Sequence, residues 1–185
     1  VKFRLYLGAF ISLLDIFTDI QSIVRFIGEG RTAFALANFF FIGVCLLLQL
    51  LITYVQNMKR GKSFIAYEML IVVSMLKPAI EAKRVASGNV HLEGALVEPV
   101  LELTCTKCAE IFAESIPSSV LQTYALIDAK EVKLGAVTSI AISALSIAYA
   151  SSTISSDFDT DPIKRANAPS FYGYMGDTNR LQVIF

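Results

Sequence analysis

Long apolar segments separated by short polar ones dominate the chain, and the clearest of them covers residues 32–55. This segment has no charged side chain and exceeds the roughly 20 residues that an α-helix needs to cross a bilayer. It ends at residues 56–62, where Lys59, Arg60 and Lys62 form a basic collar typical of the cytoplasmic side of a membrane. We therefore predict a transmembrane helix over residues 32–55.

Four further segments share the helical period, and the residues between them mark their ends. They cover residues 3–27, 63–82, 100–127 and 134–154. Gly28 and Gly30 predict a tight turn, so the first two helices should form a hairpin. Pro78 predicts a kink or an end in the third helix, and Pro117 permits a break or a re-entrant turn in the fourth.

The composition agrees with a membrane protein and excludes several other classes. Hydrophobic residues make up 55% of the 185 residues and charged residues 17%, against roughly 45–50% and 25% in ordinary soluble domains. The high hydrophobic content excludes disorder, and a net charge of zero without a long run of Lys and Arg gives no electrostatic footprint for nucleic acid. Three cysteines cannot form a disulfide framework.

We predict an all-α, polytopic transmembrane protein with about five hydrophobic helices, at least one of them broken or re-entrant. Residues 1–185 would form a single transmembrane helical region. The absence of an initiator Met and the apolar residues 181–185 indicate a part of a longer chain.

The distribution of basic residues favours a cytoplasmic N-terminus only weakly. If all five helices cross the membrane, the N-terminal side holds seven basic residues, Lys130 and Lys133 among them, and the opposite side holds six, Lys83 and Arg84 among them. The prediction therefore depends mainly on the collar at residues 56–62.

Asp15 and Asp19 are four residues apart and so lie on one face of the first helix. A carboxylate at the centre of a bilayer costs at least ~2.5–3.5 kcal/mol, so both should face the protein interior, water or a basic partner. The alternative is that this segment does not span the membrane and its aspartates are solvated.

The fourth helix carries a stripe of charged side chains, with Lys107, Glu110 and Glu114 at spacings of three and four, and with Gln122 about two turns later. Lys107 can pair with Glu110. Glu114 and the two aspartates would then need basic partners elsewhere, bound water or protonation. The alternatives are a lipid headgroup or ion that visits the stripe, and an interfacial helix whose charged face is wet.

Candidate enzyme and metal motifs are weak. Cys105 and Cys108 form a single CxxC in an apolar helix, where thiols are common packing residues, and the chain's one histidine, His91, lies in a polar loop. We find no phosphate-binding loop and no nucleophile elbow. The sequence thus predicts no enzyme, no metal and no cofactor.

Two motifs resemble the XK-related family, whose members include phospholipid scramblases of the plasma membrane. The first is Leu13-Leu-Asp-Ile-Phe-Thr-Asp-Ile20, of the pattern LLDxxTD. The second is Lys107-Cys-Ala-Glu-Ile-Phe-Ala-Glu-Ser-Ile-Pro117, which continues to Tyr124 and resembles the family's basic-xx-Glu-xxx-Glu helix. The resemblance covers residues from about 8 to 155, roughly the first half of a full member.

The resemblance implies roles for particular residues. Asp15, Asp19, Glu110 and Glu114 would belong to a buried polar ladder that guides lipid headgroups, with Lys107 as its basic member. Two positions depart from the family pattern. Ser118 replaces the usual Gln, and residues 151–156 of the fifth helix lack an expected basic residue.

Two function hypotheses remain. The first, implied by the resemblance, is a passive phospholipid scramblase of the plasma membrane, with membrane lipids as its partners. The second is a structural or assembly subunit that binds another membrane protein and moves no lipid. A face of small residues on the fifth helix favours this second hypothesis. That face comprises Ala141, Ser143, Ala144, Ala148 and Ser152. An ion or proton pathway is a third, weaker idea.

Overall fold

The computed structural model describes residues 2–87, 99–129 and 132–173, and every regular element in these ranges is helical. The predicted loop with His91, Lys130 and residues 181–185 lie outside the described residues. The elements are α1 (Lys2–Gly28), α2 (Thr32–Asn57), α3 (Lys62–Val73), α4 (Lys77–Ala86), α5 (Pro99–Glu110), a π-helical turn (Ile111–Ser115), α6 (Ile116–Ile127), α7 (Leu134–Asp159) and α8 (Pro162–Asn167).

Large apolar side chains lie on the outside of the helices and polar ones lie inside, the reverse of a soluble protein. Phe10, Phe17 and Leu36 are more than half exposed, whereas Asp19 and Asn38 are fully buried. Among the described helices, α1, α2 and α7 are each long and apolar enough to cross a bilayer. The predicted fold class, all-α and polytopic, is therefore confirmed.

α1 and α2 form the predicted hairpin. Gly30 adopts the left-handed conformation with φ 72°, which glycine tolerates without a Cβ clash, and the Arg31 amide donates to the Phe26 carbonyl at 2.8 Å. The rings of Phe26 and Phe34 then pack across the turn with centroids 5.6 Å apart. We call this end of the bundle the hairpin end, and the end where α1 begins the N-terminal end.

The third predicted helix is bent. The chain direction bends by 116° between α3 and α4, across residues 74–76. Met75 in this break has φ 60°, a conformation that costs a non-glycine residue of order 1–3 kcal/mol. Pro78 lies in the first turn of α4, where its missing amide proton is not needed. The predicted kink at Pro78 is thus present as a sharp bend just before the proline.

Side-chain contacts fix the direction of the polar helix formed by α5, the π-helical turn and α6. Lys107 contacts Ser12 in the first half of α1, and Gln122 contacts Ser22 ten residues further along. This helix therefore runs parallel to α1, from the N-terminal end to the hairpin end. α2 runs in the opposite direction because a tight turn joins it to α1.

These directions make the bent pair a re-entrant element. α2 ends and α5 begins at the N-terminal end, and the two arms of the pair lie against each other because Arg84, near the end of α4, donates to Glu68, in the middle of α3, at 2.8 Å. Lys77, at the start of α4, contacts Glu102 in the first turn of α5 at 2.7 Å. The pair therefore enters and leaves at the N-terminal end.

α7 runs antiparallel to α1, since Ser143 contacts Asp15 whereas Ser139 contacts Ser22. The described contacts divide the chain into two compact units, Val1–Ser146 and Ile147–Phe185. In the second unit, Asp159 accepts the Gly173 amide at 2.8 Å, which holds the chain after α8 against the end of α7. The predicted single membrane region stays a prediction.

The re-entrant pair changes the charge count. Lys133 lies at the hairpin end, where it contacts Glu29 at 2.8 Å, and not at the N-terminal side as five successive spans require. Arg84, placed opposite the N-terminus by the same count, lies at the N-terminal end with Glu68. The collar and Lys83 also lie there, so the N-terminal end carries the excess of basic residues and should face the cytoplasm.

This topology can be tested with single cysteines in a chain whose native cysteines are replaced by serine. Gly28→Cys should react with a membrane-impermeant maleimide in intact cells, whereas Gly61→Cys and Ser87→Cys should react only after permeabilisation. The two glycines leave open space for a side chain, so the fold should be kept. Labelling of Ser87→Cys from outside would show that the bent pair spans the membrane.

Candidate functional site

A stripe of polar side chains runs through the interior of the unit Val1–Ser146, between α1 and the polar helix. α1 contributes residues at spacings of three and four, which place them on one face. All of these side chains are buried except that of Lys107, which is partly exposed. We call this set the polar stripe: Ser12, Asp15, Asp19 and Ser22 of α1, with Lys107, Glu110, Ser115, Ser118 and Gln122 of the polar helix.

The first level of the stripe lies nearest the N-terminal end and contains its ion pair. Lys107 contacts Glu110 at 2.7 Å, as the spacing of three predicts. Ser12 of α1 donates to the same carboxylate oxygen at 3.1 Å and also contacts Lys107. The other oxygen of Glu110 has no partner among the described residues. This level has one cation and a carboxylate with spare acceptor capacity.

At the second level, two serine hydroxyls hold Asp15. Ser115 of the π-helical turn donates to one carboxylate oxygen at 2.7 Å, and Ser143 of α7 donates to the other at 2.6 Å. Asp15 therefore joins three helices through neutral donors. No basic side chain contacts it among the described residues, so a cation is not what holds Asp15 there; the predicted alternatives of bound water or protonation stay predictions.

At the third level, Asp19 is likewise held by neutral groups of α6. One oxygen accepts from the Ser118 hydroxyl at 2.9 Å and from the Gln122 amide at 2.8 Å. Its other oxygen has no partner in the described part of the chain. Ser118, which departs from the family pattern, is therefore one of the two donors to Asp19.

Gln122 links the third level to the hairpin end. Its amide nitrogen donates to Asp19 and Ser118, and its carbonyl oxygen accepts from Ser22 at 3.1 Å. Ser22 also shares a hydrogen bond of 3.1 Å with Ser139 of α7. Every polar atom of the Gln122 side chain is therefore engaged in the interior.

Glu114 leaves the stripe on which the sequence places it. The π-helical turn adds a residue to the winding, so Ser115 faces Asp15 and Glu114 points instead towards α2, where the Cys45 thiol hydrogen-bonds it. The expectation that Glu114 shares one stripe with Lys107 is therefore wrong. Glu114 lines a small cavity with Gln49 and the re-entrant tip, including Met75.

Pro117 does not break the helix. The amide of Ile116 donates to the carbonyl of Ile111, five residues earlier, so the turn before the proline is widened and the helix continues. A widened turn gives the proline ring room that an α-helical turn lacks. The prediction of a break at Pro117 is corrected to a π-helical turn, and the re-entrant break is the one before Pro78.

A second polar cluster lies between the re-entrant pair and α5, and the sequence analysis missed it. Lys77 is fully buried and contacts Glu81 at 2.6 Å and Glu102 at 2.7 Å, with Glu68 at 3.9 Å. Arg84 pairs with Glu68 from the side. We call these five residues the basal ion cluster. Charged residues within the apolar segment 63–82 are the signal that could have revealed it.

The CxxC shows no metal-site geometry in the described residues. Cys105 is exposed, Cys108 is partly buried and both are free thiols. No group of three or more His, Cys, Asp and Glu side chains in the described ranges could hold a metal ion.

A vestibule of about 540 Å³ opens at the hairpin end, above the last level of the stripe. Arg31 pairs with Asp128 at 2.7 Å on its wall, and Lys133 pairs with Glu29 at 2.8 Å. The hydrogen bond from Lys133 lowers the pKa of Glu29 from its ordinary value, so Glu29 stays charged to more acidic pH. Gln122 also lines the vestibule, which therefore reaches the stripe.

Comparison with known proteins identifies one family. Residues 3–156 match the family described as XK-related protein, which covers more than half of the chain. No curated protein and no solved structure matches the chain significantly.

The basal ion cluster should be essential for stability. Lys77→Met would leave three buried carboxylates without their shared cation, which typically costs ~3–5 kcal/mol. Lys83→Met, on the exposed side of the same helix, is the matched control and should have little effect. Chemical unfolding in detergent micelles measures both. Equal losses for the two variants would contradict a structural role for the cluster.

Gln122 should matter for the same reason at the other end of the bundle. Gln122→Met keeps the volume but removes the hydrogen bonds to Asp19, Ser118 and Ser22, and we expect a loss of about 1–3 kcal/mol. Gln21→Met, at an exposed position of α1, is the control. The idea fails if thermal unfolding in micelles gives both variants the same midpoint.

Proposed function

The chain belongs to the XK-related family, and from this premise we propose that it is a passive phospholipid scramblase of the plasma membrane. It would let headgroups cross between leaflets along the polar stripe while the acyl chains stay in lipid. No covalent chemistry and no nucleotide or redox cofactor enters this mechanism, and membrane lipids are its partners.

The observation that supports this proposal most is the depth covered by the buried polar side chains. From Glu102 in the basal ion cluster to Gln122 below the vestibule, the polar helix advances twenty residues, or about 30 Å. This equals the thickness of a bilayer's hydrocarbon core. A headgroup that followed this helix would meet polar groups at every level.

The chemistry of the stripe suits a zwitterionic headgroup. Asp15, Asp19 and Glu110 offer hydrogen-bond acceptors to an ammonium group and negative charge to a choline group, and Lys107 offers a cation to the phosphate. Two carboxylate oxygens, one each on Asp19 and Glu110, still lack hydrogen-bond partners among the described residues. These oxygens could bind a passing headgroup without first breaking a bond.

Transport requires the bundle to open. Asp15 and Asp19 are 5% and 0% exposed, so a headgroup cannot reach them while α1 and the polar helix stay packed. Separation of these helices would break the hydrogen bonds that the uncharged serine and glutamine donors make to the two carboxylates, and among the described residues no ion pair between α1 and α6 would have to be broken. We therefore regard the described arrangement as the closed state of the proposed path.

A second candidate is a structural or assembly subunit, and two observations favour it. The acids at the second and third levels are held by neutral donors, as in static helix packing. On α7, Ala141, Ala144 and Ala148 are exposed, whereas Ser143 is buried against α1. The predicted small-residue face is thus corrected: its alanines point outwards, where another membrane helix could approach closely.

Lipid exchange in liposomes separates the two candidates. Full-length protein is reconstituted with a fluorescent lipid in both leaflets, and dithionite bleaches the outer leaflet. A scramblase should allow bleaching well beyond half of the signal, in vesicles shown to exclude dithionite. The Asp15→Asn, Asp19→Asn double variant should slow exchange by at least about tenfold, or ~1.4 kcal/mol of barrier.

Thr123→Val, at an exposed position of α6, is the matched control and should exchange lipid at the wild-type rate. Unfolding midpoints of both variants show that the fold is kept. Bleaching that stops at half for the wild type would favour the assembly subunit. Normal exchange by a folded double variant would show that the stripe is not the path.

A further inference from the structure

The vestibule at the hairpin end has an uneven distribution of charge. Three cations and two carboxylates line it, namely Arg25, Arg31 and Lys133 with Glu29 and Asp128. Two ion pairs engage both carboxylates, Arg31 with Asp128 and Lys133 with Glu29. Among the described lining residues the cations therefore outnumber the carboxylates by one, and Arg25 is the cation that lies outside both ion pairs.

Arg25 has weak interactions for a partly buried guanidinium. Among the described residues, its one hydrogen bond donates to the Ser22 hydroxyl and is long, at 3.4 Å. Its Cζ atom lies 5.2 Å from the centre of the Phe26 ring. In the described part of the chain, no carboxylate forms an ion pair with it. Most of its five N–H donors have no acceptor among the described residues and can reach a molecule in the vestibule.

The position of Arg25 connects the vestibule to the interior. Ser22, its hydrogen-bond partner, also donates to Gln122, which in turn donates to Asp19. A group bound by Arg25 would therefore lie at the last level of the polar stripe. The volume of about 540 Å³ is within the range of cavities that hold small molecules, and it can accept a headgroup-sized ligand.

We propose that the vestibule is a binding site for a phosphate group and that Arg25 is its anchor. The planar guanidinium matches two phosphate oxygens, and its charge is the one that lies outside the two ion pairs of the described lining. The paired carboxylates Glu29 and Asp128 lie beside it, where they can attract the cationic part of a zwitterion. A zwitterionic phospholipid headgroup, with a phosphodiester and a cationic group, satisfies both features, so this inference deepens and rests on the proposed scramblase function.

Binding is measured with the purified full-length protein in detergent, by ligand-induced shifts of its unfolding midpoint. The probes are dihexanoyl phosphatidylcholine, its soluble headgroup glycerophosphocholine, and inorganic phosphate. The wild type should bind the first two in a saturable manner. A response to inorganic phosphate of equal strength would identify a free phosphate site in place of a lipid site, with Arg25 still as the anchor.

Arg25→Gln should weaken binding of glycerophosphocholine by at least about tenfold, or ~1.4 kcal/mol. Arg60→Gln is the matched control, because Arg60 also lies over a phenylalanine ring and has one neutral side-chain hydrogen bond, but at the N-terminal end. It should bind like the wild type. Equal affinity in the wild type and Arg25→Gln, or no saturable binding by the wild type, would overturn the site.

A second variant guards against misfolding of Arg25→Gln. Ala129→Phe fills the vestibule without removing a side-chain hydrogen bond, and it should reduce the affinity for glycerophosphocholine to a similar extent. Unchanged binding in Ala129→Phe would contradict the assigned location.

The liposome assay keeps the two proposals distinguishable. Binding that depends on Arg25, in a protein that exchanges no lipid, would support the site and refute the scramblase. Lipid exchange by a wild type that binds no probe would support the scramblase and refute the site.

Discussion

The unit Val1–Ser146 depends on one constraint: carboxylates buried at membrane depth must be hydrogen-bonded. Asp15 and Asp19 meet it with hydroxyl and amide donors from two other helices, so the two residues fix how α6 and α7 pack on α1. Exposed apolar side chains can rotate freely against lipid and specify little. The register of the bundle is therefore set by its polar interior, the reverse of the arrangement in a soluble core.

The sequence was sufficient for the fold class and for the hairpin, because both depend on local signals: segment length, apolar content and the turn at Gly28 and Gly30. It also indicated Asp15, Asp19 and Gln122 as candidates for the interior, since charge or a polar amide in an apolar helix is costly, but it left water and an interfacial helix open. Their actual partners could not be predicted. Ser115, Ser118 and Ser143 lie roughly a hundred or more residues from the aspartates, and serine is too common to mark a donor.

The re-entrant pair shows why counting charges along the chain failed. A re-entrant segment returns to the side on which it started, so every later loop lies on the opposite side from the one that a count of successive spans assigns to it. The count therefore placed Lys133 at the wrong end of the bundle. The information that decides the matter is the contact of Lys77 with Glu102 and of Arg84 with Glu68. These tertiary ion pairs hold both arms of the bend at one end of the bundle.

The π-helical turn has a consequence for how tightly the polar interior is specified. An α-helix rotates by about 100° per residue, so the extra residue wound into Ile111–Ser115 turns all of α6 by about that angle relative to α5. Without it, Ser118 and Gln122 would face away from Asp19 while Lys107 stayed beside Ser12. A change of one residue in helical winding, with no substitution at all, would thus disconnect the two halves of the polar interior, which makes this turn the point at which the bundle can change its internal register.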